Sequence, residues 1–426
     1  MLLTKFTPII SRAAVLHGKR ALCSQPHIQS RRSLWEEERL PFYKPQQFYP
    51  VHIGETLNTR YQVVGKLGYG SYSTVWLCRD KSIDLARHSE NKYVAIKVLT
   101  NNLSQRALSG ELGIYEHLSR LNSSHIGSAY VRGLYDTFSI PGPDGTHQCL
   151  VHPPMHLSLN ELRMLSRARR LSEPLLKQTL FCILQGLDFL HREAGVVHTD
   201  IKTSNIMLSI DDESMLTDFQ KAEQQNHSPR KVIDESRTIY TSRNLRLPKD
   251  MLWGQPVLCD LGQAQIGQSH RGIIQPESFR APEVLFDMDW GSGVDIWSLG
   301  VMTFVQRARR RRRLLPSHHV AEMVAYLGLP PLSFVRRSQE TRHVFAGDGE
   351  FSLLGGGRAD EYMIGKWLGA GGVTIPATSL HEVEENLTGE NQQLFLEFIR
   401  SMLQWTPEKR KTAQELLDDP WLNSDP

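Results

Sequence analysis

An α+β protein of two segregated parts is predicted, because short strand-like segments come first and long helical periodicities follow. Tyr61–Lys66, Ser73–Cys78 and Tyr93–Leu99 are short, rich in β-branched and aromatic residues, and separated by Gly or polar stretches, as strands are. From Leu108 to Leu121, and again from Leu175 to Leu190, apolar residues recur at i, i+3 and i+4, so one face of each helix meets a core.

Composition narrows the class. The 426 residues suit two or three domains or one large two-lobed one. With 49 Lys and Arg against 46 Asp and Glu, the net charge of +3 gives no overall footprint for nucleic acid. No apolar run approaches the roughly 18–20 residues that a membrane span needs. Cys23, Cys78, Cys149, Cys182 and Cys259 are odd in number and form no C-x-x-C pair. That pattern argues against a disulfide framework and a structural zinc site, and fits a reducing compartment.

Three stretches stand apart from the body. Met1–Trp35 contains no acid but six bases, Lys5, Arg12, Lys19, Arg20, Arg31 and Arg32, with apolar residues at helical spacing. This is the pattern of an organelle transit peptide; the plainer alternative is a disordered basic tail ending at the acidic run Glu36–Glu38. Residues 1–48 are accordingly expected to be a leader, and 40–60, with Pro41, Pro45 and Pro50, an extended lead-in. Residues 210–253 are polar and weakly periodic and read as a surface insertion. Arg307–Arg313 holds six arginines in seven positions, whose mutual repulsion does not suit a packed core.

The chemistry lies in four ordered features. Leu67-Gly68-Tyr69-Gly70-Ser71-Tyr72-Ser73-Thr74-Val75 sets a Gly-x-Gly between two strands, where the missing Cβ lets a backbone approach a phosphate. A hairpin turn alone would also use these glycines. A Rossmann loop fails because a strand follows, and a P-loop fails because Gly-Lys-Ser/Thr is lacking. Val94-Ala95-Ile96-Lys97 puts a lysine in an apolar strand, costly to bury without an anion; Glu111 can supply one, although Glu116 is a competitor. His198-Thr199-Asp200-Ile201-Lys202-Thr203-Ser204-Asn205 gathers acid, base and amide in one short loop. That set suits phosphoryl transfer: a carboxylate to accept a hydroxyl proton, an ammonium to offset phosphate charge, and an amide oxygen for a hard cation. Capping or turn roles for Asp200 and Asn205 are the structural alternative. Finally, Val257-Leu258-Cys259-Asp260-Leu261-Gly262 ends a strand on a carboxylate, followed by Ala281-Pro282-Glu283 and Asp295-Ile296-Trp297-Ser298.

This ordered set resembles the eukaryotic protein kinase signature over residues 61–422. The resemblance implies a bilobal fold, with a small antiparallel β lobe and one helix (about 61–155), and a larger, mainly helical lobe (about 156–422). It implies ATP and Mg²⁺ as cofactors. Asp200 would be the catalytic base and Lys202 the γ-phosphate contact. Leu67 to Val75 would cover ATP, Ala95 and Val75 would flank adenine, and Met155 would offer backbone hydrogen bonds. Lys97 would pair the α/β-phosphates and Glu111, while Asn205 and Asp260 would hold the metal. Glu283 and Arg410 would form a buried brace, and Asp295 would anchor the catalytic loop.

Thr199, the run Gln275–Glu283, the insertion before Asp260, the opening Tyr61–Gly70 and the closing Trp405–Arg410 are similar to the SR-protein kinases, most of all their fungal members. Those enzymes phosphorylate serines in Arg-Ser repeats of RNA-processing proteins. The resemblance therefore implies an Arg-Ser-rich splicing-type protein substrate, a monomer with no direct nucleic-acid or membrane partner, and a cytoplasmic or nuclear location. The basic leader points instead to mitochondria. Thr199 stands where most such kinases carry the Arg that meets a loop phosphate, which implies activity without loop phosphorylation. Leu261 replaces the usual Phe, and His152-Pro153-Pro154-Met155 is an unusual linker.

The arginine run departs most. It reads as an import or acidic-partner patch, a solvated helix end, or an altered reading frame. A lower lobe damaged there would leave a nucleotide-binding pseudokinase, and a serine/threonine kinase with unrelated substrates is the other alternative. Without the leader and run arginines and lysines, 37 bases face 46 acids, a net of −9 that suits a basic substrate.

Overall fold

The computed structural model describes residues 33–82, 93–102, 105–249, 252–305, 316–346, 366–368 and 372–424. The Arg307–Arg313 run and most of the leader, residues 1–32, lie outside them. Two compact units emerge. The first runs through Tyr115 and adds Arg132–Leu157 and Met207–Gln255; the second comprises Glu116–Val131, Ser158–Ile206 and the chain from Pro256 on.

The first unit is built on a six-stranded antiparallel sheet. Its strands are β1 (Thr56–Leu57), β2 (Tyr61–Gly70), β3 (Ser73–Asp80), β4 (Tyr93–Leu99), β5 (Asp136–Gly142) and β6 (Gly145–His152), in the order β1-β2-β3-β4-β6-β5. The three predicted strands are present, the first extended through its glycines. One sheet face buries Val63, Trp76, Cys78, Val94, Ile96, Val98, Cys149 and Val151 around Tyr61 and Tyr240. The helix α1 (Gln105–Arg120) enters this unit as far as Tyr115.

Two expectations are corrected here. The insertion is more than surface, since it supplies α4 (Ser214–Gln225) and the hairpin of β9 (Arg230–Val232) and β10 (Thr238–Tyr240). Met215, Leu216, Phe219 and Glu223 form the buried side of α4, and Leu216 and Phe219 pack with Val64, Leu77, Tyr93 and Leu245. A Cβ at Gly65 of β2 would lie 2.8 Å from Phe219, so this glycine is what lets the helix approach the strand. The small unit therefore has a second helix, hidden because only three of its buried residues, Met215, Leu216 and Phe219, are apolar. The end of the leader is not a loose tail either. Residues 33–48 are part of the unit, with Glu37 and Phe48 buried, because their partners lie in β2 and the insertion, far away in sequence.

The second unit is mainly helical, with α2 (Leu159–Leu165), α3 (Glu173–Asp188), α5 (Pro282–Leu285), α6 (Gly293–Val305), α7 (Pro316–Leu327), α8 (Leu332–Val335), α9 (Leu380–Val383), α10 (Gly389–Met402), α11 (Ala413–Leu417) and α12 (Pro420–Asn423). β7 (Val196–Val197) pairs antiparallel with β12 (Gln265–Ile266); β11 (Pro256–Leu258) and β8 (Ile206–Leu208), of which only Ile206 belongs to this unit, are three residues each. In α3, Leu176, Leu180, Ile183, Leu184 and Leu187 are buried, the 3.6-residue stripe expected of it. α6 lies close on the end of α10: a Cβ at Gly300 would meet Leu403 at 2.8 Å. Among the described residues no helix is long and apolar enough to cross a membrane.

His319 on α7 is buried, with Nε2 3.2 Å from the Arg280 carbonyl, and burial pushes its pKa below the usual histidine value of 6.5. The folded state thus prefers the neutral ring. Its contribution to stability is complete above the unfolded pKa and is lost as pH falls below it, since the unfolded chain takes up the proton first. We expect the thermal midpoint to drop between pH 7.5 and 5.5, and His319→Gln to flatten that slope. An identical slope in the variant would remove His319 as its source.

Candidate active site

In the first unit the glycine-rich segment is a tight hairpin. Gly68 pairs with Val75, Tyr69 with Thr74 and Gly70 with Ser73, leaving Ser71 and Tyr72 exposed at the turn. Ser73 and Thr74 are buried, and the Thr74 hydroxyl accepts from Trp76 Nε1 at 2.9 Å. Neither Gly68 nor Gly70 has a positive φ. A Cβ at Gly68 would meet nothing within 4 Å, and one at Gly70 would meet only Ser73 Oγ at 3.8 Å. Neither backbone strain nor packing among the described residues therefore demands glycine there.

The β3–β4 register sets Val75 opposite Lys97 and Leu77 opposite Ala95, and β6 sets Leu150 opposite Lys97. Lys97 Nζ meets both carboxylate oxygens of Glu111, at 2.9 and 3.1 Å, with the glutamate buried. The competitor Glu116 is instead exposed and pairs with Arg120, one turn along its own helix. Met155 is buried after β6, and the chain just beyond it is fixed by His156 N donating to the Leu208 carbonyl at 2.8 Å and Leu208 N to that of Leu157 at 3.0 Å.

In the second unit the His198–Asn205 loop hangs from one buried carboxylate. Asp295, at the start of α6, accepts from His198 N at 2.8 Å, Thr199 N at 2.7 Å and His191 Nε2 at 2.9 Å. Asp200 N donates to His198 Nδ1 at 3.2 Å, so Nε2 carries the proton and donates to the Cys259 carbonyl at 3.2 Å. Inside this frame Lys202 Nζ lies 2.6 Å from Asp200 Oδ2, and Asn205 Nδ2 donates to the same oxygen at 2.8 Å and to the Asp200 carbonyl at 2.9 Å. Cys259 N donates to the Asn205 carbonyl at 2.7 Å, which brings Asp260 beside Asn205. The loop thus gathers Asp200, Lys202 and Asn205, and the Cys259 bond sets the backbone of Asp260 next to it.

Two residues here carry backbone strain. Thr199 and Asp260 have φ of +68° and +67°, a conformation that is unusual for any residue with a side chain and an outlier for a β-branched one. Thr199 Oγ1 donates to the Gln263 carbonyl at 2.9 Å, linking the loop directly to the segment after Gly262. Leu261 is buried, so an apolar residue suffices in the place where Phe is usual. Sequence reasoning missed His191 and Gln275. Gln275 donates to the Val294 carbonyl at 2.9 Å and Ser298 Oγ at 2.8 Å, and accepts from Ala281 N at 2.9 Å. Nothing in the local pattern marks a lone glutamine as a three-way clamp.

Comparison with known proteins agrees with this geometry. The protein kinase domain family matches residues 61–246 and 250–422. The chain is 38% identical to a serine/threonine protein kinase of Aspergillus fumigatus, covering 91% of this chain and 90% of that one. It is 28% identical to the serine/threonine-protein kinase SRPK of Physarum polycephalum over 91% of each, and 23% to protein kinase dsk1 of Schizosaccharomyces pombe over 91% and 85%. Its fold is similar to the crystal structure of the PF14_0431 kinase domain, with TM-score 0.62 and 21% identity over 88% of this chain and 99% of that chain. The chain belongs to the eukaryotic protein kinase family. Within it the activity is that of a serine/threonine protein kinase, which uses ATP and acts on protein substrates.

Proposed function

We propose that the protein transfers the γ-phosphoryl group of ATP to serines flanked by arginine, with Asp200 as the catalytic base. The observation that carries the chemistry is the Asp200–Lys202–Asn205 cluster. Its carboxylate is oriented by two cationic or amide donors, in a loop hung from Asp295. Asp200 accepts the proton of the substrate hydroxyl as oxygen attacks the γ-phosphorus, and Lys202 offsets the phosphate charge. Gly68, Gly70 and the residues from Leu67 to Val75 cover the nucleotide. The open space at Gly68 and Gly70 supports this role, since among the described residues nothing approaches closely enough to require glycine there. Lys97, held by Glu111, pairs the α/β-phosphates, Val75 and Ala95 flank adenine, and the backbone at Met155 recognises its edge.

Asn205 and Asp260 fit Mg²⁺. With Nδ2 committed to Asp200, Asn205 would offer its oxygen, and Asp260, which follows the Cys259 whose N–H bonds to the Asn205 carbonyl, would offer a carboxylate, a hard-oxygen pair of the kind magnesium takes together with phosphate. When bound, the ion would neutralise charge on the phosphates.

Two features support an Arg-Ser-rich substrate. Relatives include proteins named SRPK and SRSF protein kinase 3, and the chain outside its two basic segments is acidic. Incubating the full chain with ATP, Mg²⁺ and an Arg-Ser peptide, beside the same peptide with Ala for Arg, tests this reading. We expect phosphorylation of the first only. Equal rates would favour the second reading, a kinase with unrelated substrates. That reading is supported by the 38%-identical relative, whose name specifies no substrate.

A further inference from the structure

Lys66 lies on β2 two residues before Gly68 and is completely buried. A buried ammonium is costly unless anions and carbonyls surround it. Here its Nζ donates to Glu37 Oε2 and to the Tyr240 carbonyl at 3.2 Å, and Glu36 Oε2 lies 3.9 Å away. The same Nζ sits 5.1 Å from the centre of the Tyr69 ring, and Tyr69 is the residue between the two glycines.

The acidic turn Glu36–Arg39 that supplies these carboxylates is itself tied to the inserted hairpin. Lys231 of β9 donates to Glu38 at 2.8 and 2.9 Å and to the Ser33 carbonyl at 3.0 Å; just after β10, the Ser242 hydroxyl donates to Glu36 at 2.7 Å. From the backbone side, Arg243 N donates to the Lys66 carbonyl at 2.9 Å. Lys66 is thus held by a segment from the far N-terminal side and one from the insertion, both foreign to the sheet it belongs to.

We propose that Glu37 is a positioning residue for the nucleotide-covering loop. The acidic turn and the β9–β10 hairpin form a brace that acts through Lys66 and Tyr69 on Gly68–Tyr72 and so sets the affinity for ATP. The inference rests on the reading of Gly68 and Gly70 as the ATP cover. Its physical cause is direct: without the Glu37 carboxylate the buried Lys66 ammonium keeps only the Tyr240 carbonyl and a Glu36 carboxylate 3.9 Å away, and β2 shifts to bring it closer to an anion or to water. Leu67 and Gly68 follow in the same strand. Loss of nucleotide contacts made equally in the ground and transition states raises KM and leaves kcat.

The test uses the full chain, with KM for ATP, kcat on the peptide, ATP affinity by calorimetry and the thermal midpoint measured together. Arg60→Met serves as control; it breaks the Arg60–Asp80 pair, 2.7 Å apart at the end of the β2–β3 ladder opposite the glycine turn, without touching the loop. It should lower the midpoint and leave the KM for ATP. Glu37→Gln should raise KM and Kd for ATP about tenfold, the factor that roughly 1.4 kcal/mol of binding represents, with kcat changed less than about twofold. Glu37→Asp, which retains the charge, should recover part of the loss. Lys231→Met, which frees Glu38 but leaves Lys66 with Glu37, should raise the KM about threefold.

A lowered midpoint with an unchanged KM for ATP in Glu37→Gln would reduce Glu37 to a structural residue and overturn the proposal. Should Glu37→Gln not fold, an unchanged KM in Lys231→Met overturns it equally. Failure of the unaltered chain to bind ATP would instead overturn the reading of the glycine loop on which the brace depends.

Discussion

Asp200→Ala is expected to lower kcat by about 10²–10⁴-fold, the range spanned by loss of a positioned general base, with ATP affinity within about twofold of the unaltered chain. The separation follows from the structure. Asp200 meets Lys202 and Asn205 within its own loop, and the frame that holds the loop, through Asp295, bonds to the backbone of His198 and Thr199 rather than to the Asp200 side chain. Removing the carboxylate leaves that frame intact. Single-turnover measurement at saturating ATP, with calorimetric ATP binding alongside, reads both quantities. A variant that phosphorylates at the original rate would move the base elsewhere. One that loses ATP binding in parallel would show that the loop, not the chemistry, had been damaged.

Arg410→Met is expected to be the most destabilising single change considered, at about 3–5 kcal/mol, because it leaves a carboxylate buried without its cation. Arg410 meets Glu283 through two parallel bonds, 2.6 and 2.7 Å, with both side chains 1% exposed. The guanidinium also donates to the Gly293 carbonyl at 2.8 Å and that of Gln404 at 3.1 Å, and stands 5.0 Å over Trp297. It therefore joins α5, the start of α6 and the loop before α11. The double variant Arg410→Met/Glu283→Met removes both charges and should recover a large part of the loss, since buried pairs exchange for apolar residues at little net cost. Denaturant unfolding of the two single variants and the double decides the matter. Equal losses in Arg410→Met and the double would mean that the carbonyl bonds and the Trp297 contact, not the charge pair, carry the stability.

How much was legible beforehand differs by element. Lys97 and Glu111, 14 residues apart, were identified from an apolar strand with one lysine and a helix with an acid near its start, and the structure joins them. The three early strands were visible because alternation and β-branching are local properties. So was α3, whose apolar stripe is long and clean. The insertion failed this test: α4 buries Met215, Leu216, Phe219 and Glu223 among polar neighbours, too few positions to stand out, and its fit depends on Gly65, some 150 residues earlier. The acidic run Glu36–Glu38 looked only like the end of a basic leader. Its meaning lies in Lys66 and Lys231.

Thr199 shows the divide within a single residue. Set against the kinase pattern, its identity marks only the place of an absent arginine. Only the structure shows its hydroxyl on the Gln263 carbonyl and its strained backbone held by Asp295. By itself, then, the chain's order of residues determined the family, the α+β class and the identity of the chemical groups, because motif spacing and periodicity are written in nearby positions. Tertiary structure alone decided the pairings that no motif records, Lys66 with Glu37 and Lys231 with Glu38. A buried lysine such as Lys66 can be satisfied by any carboxylate that folding delivers, and desolvation, which sets the cost of a wrong pairing, exists only once the chain has closed over it.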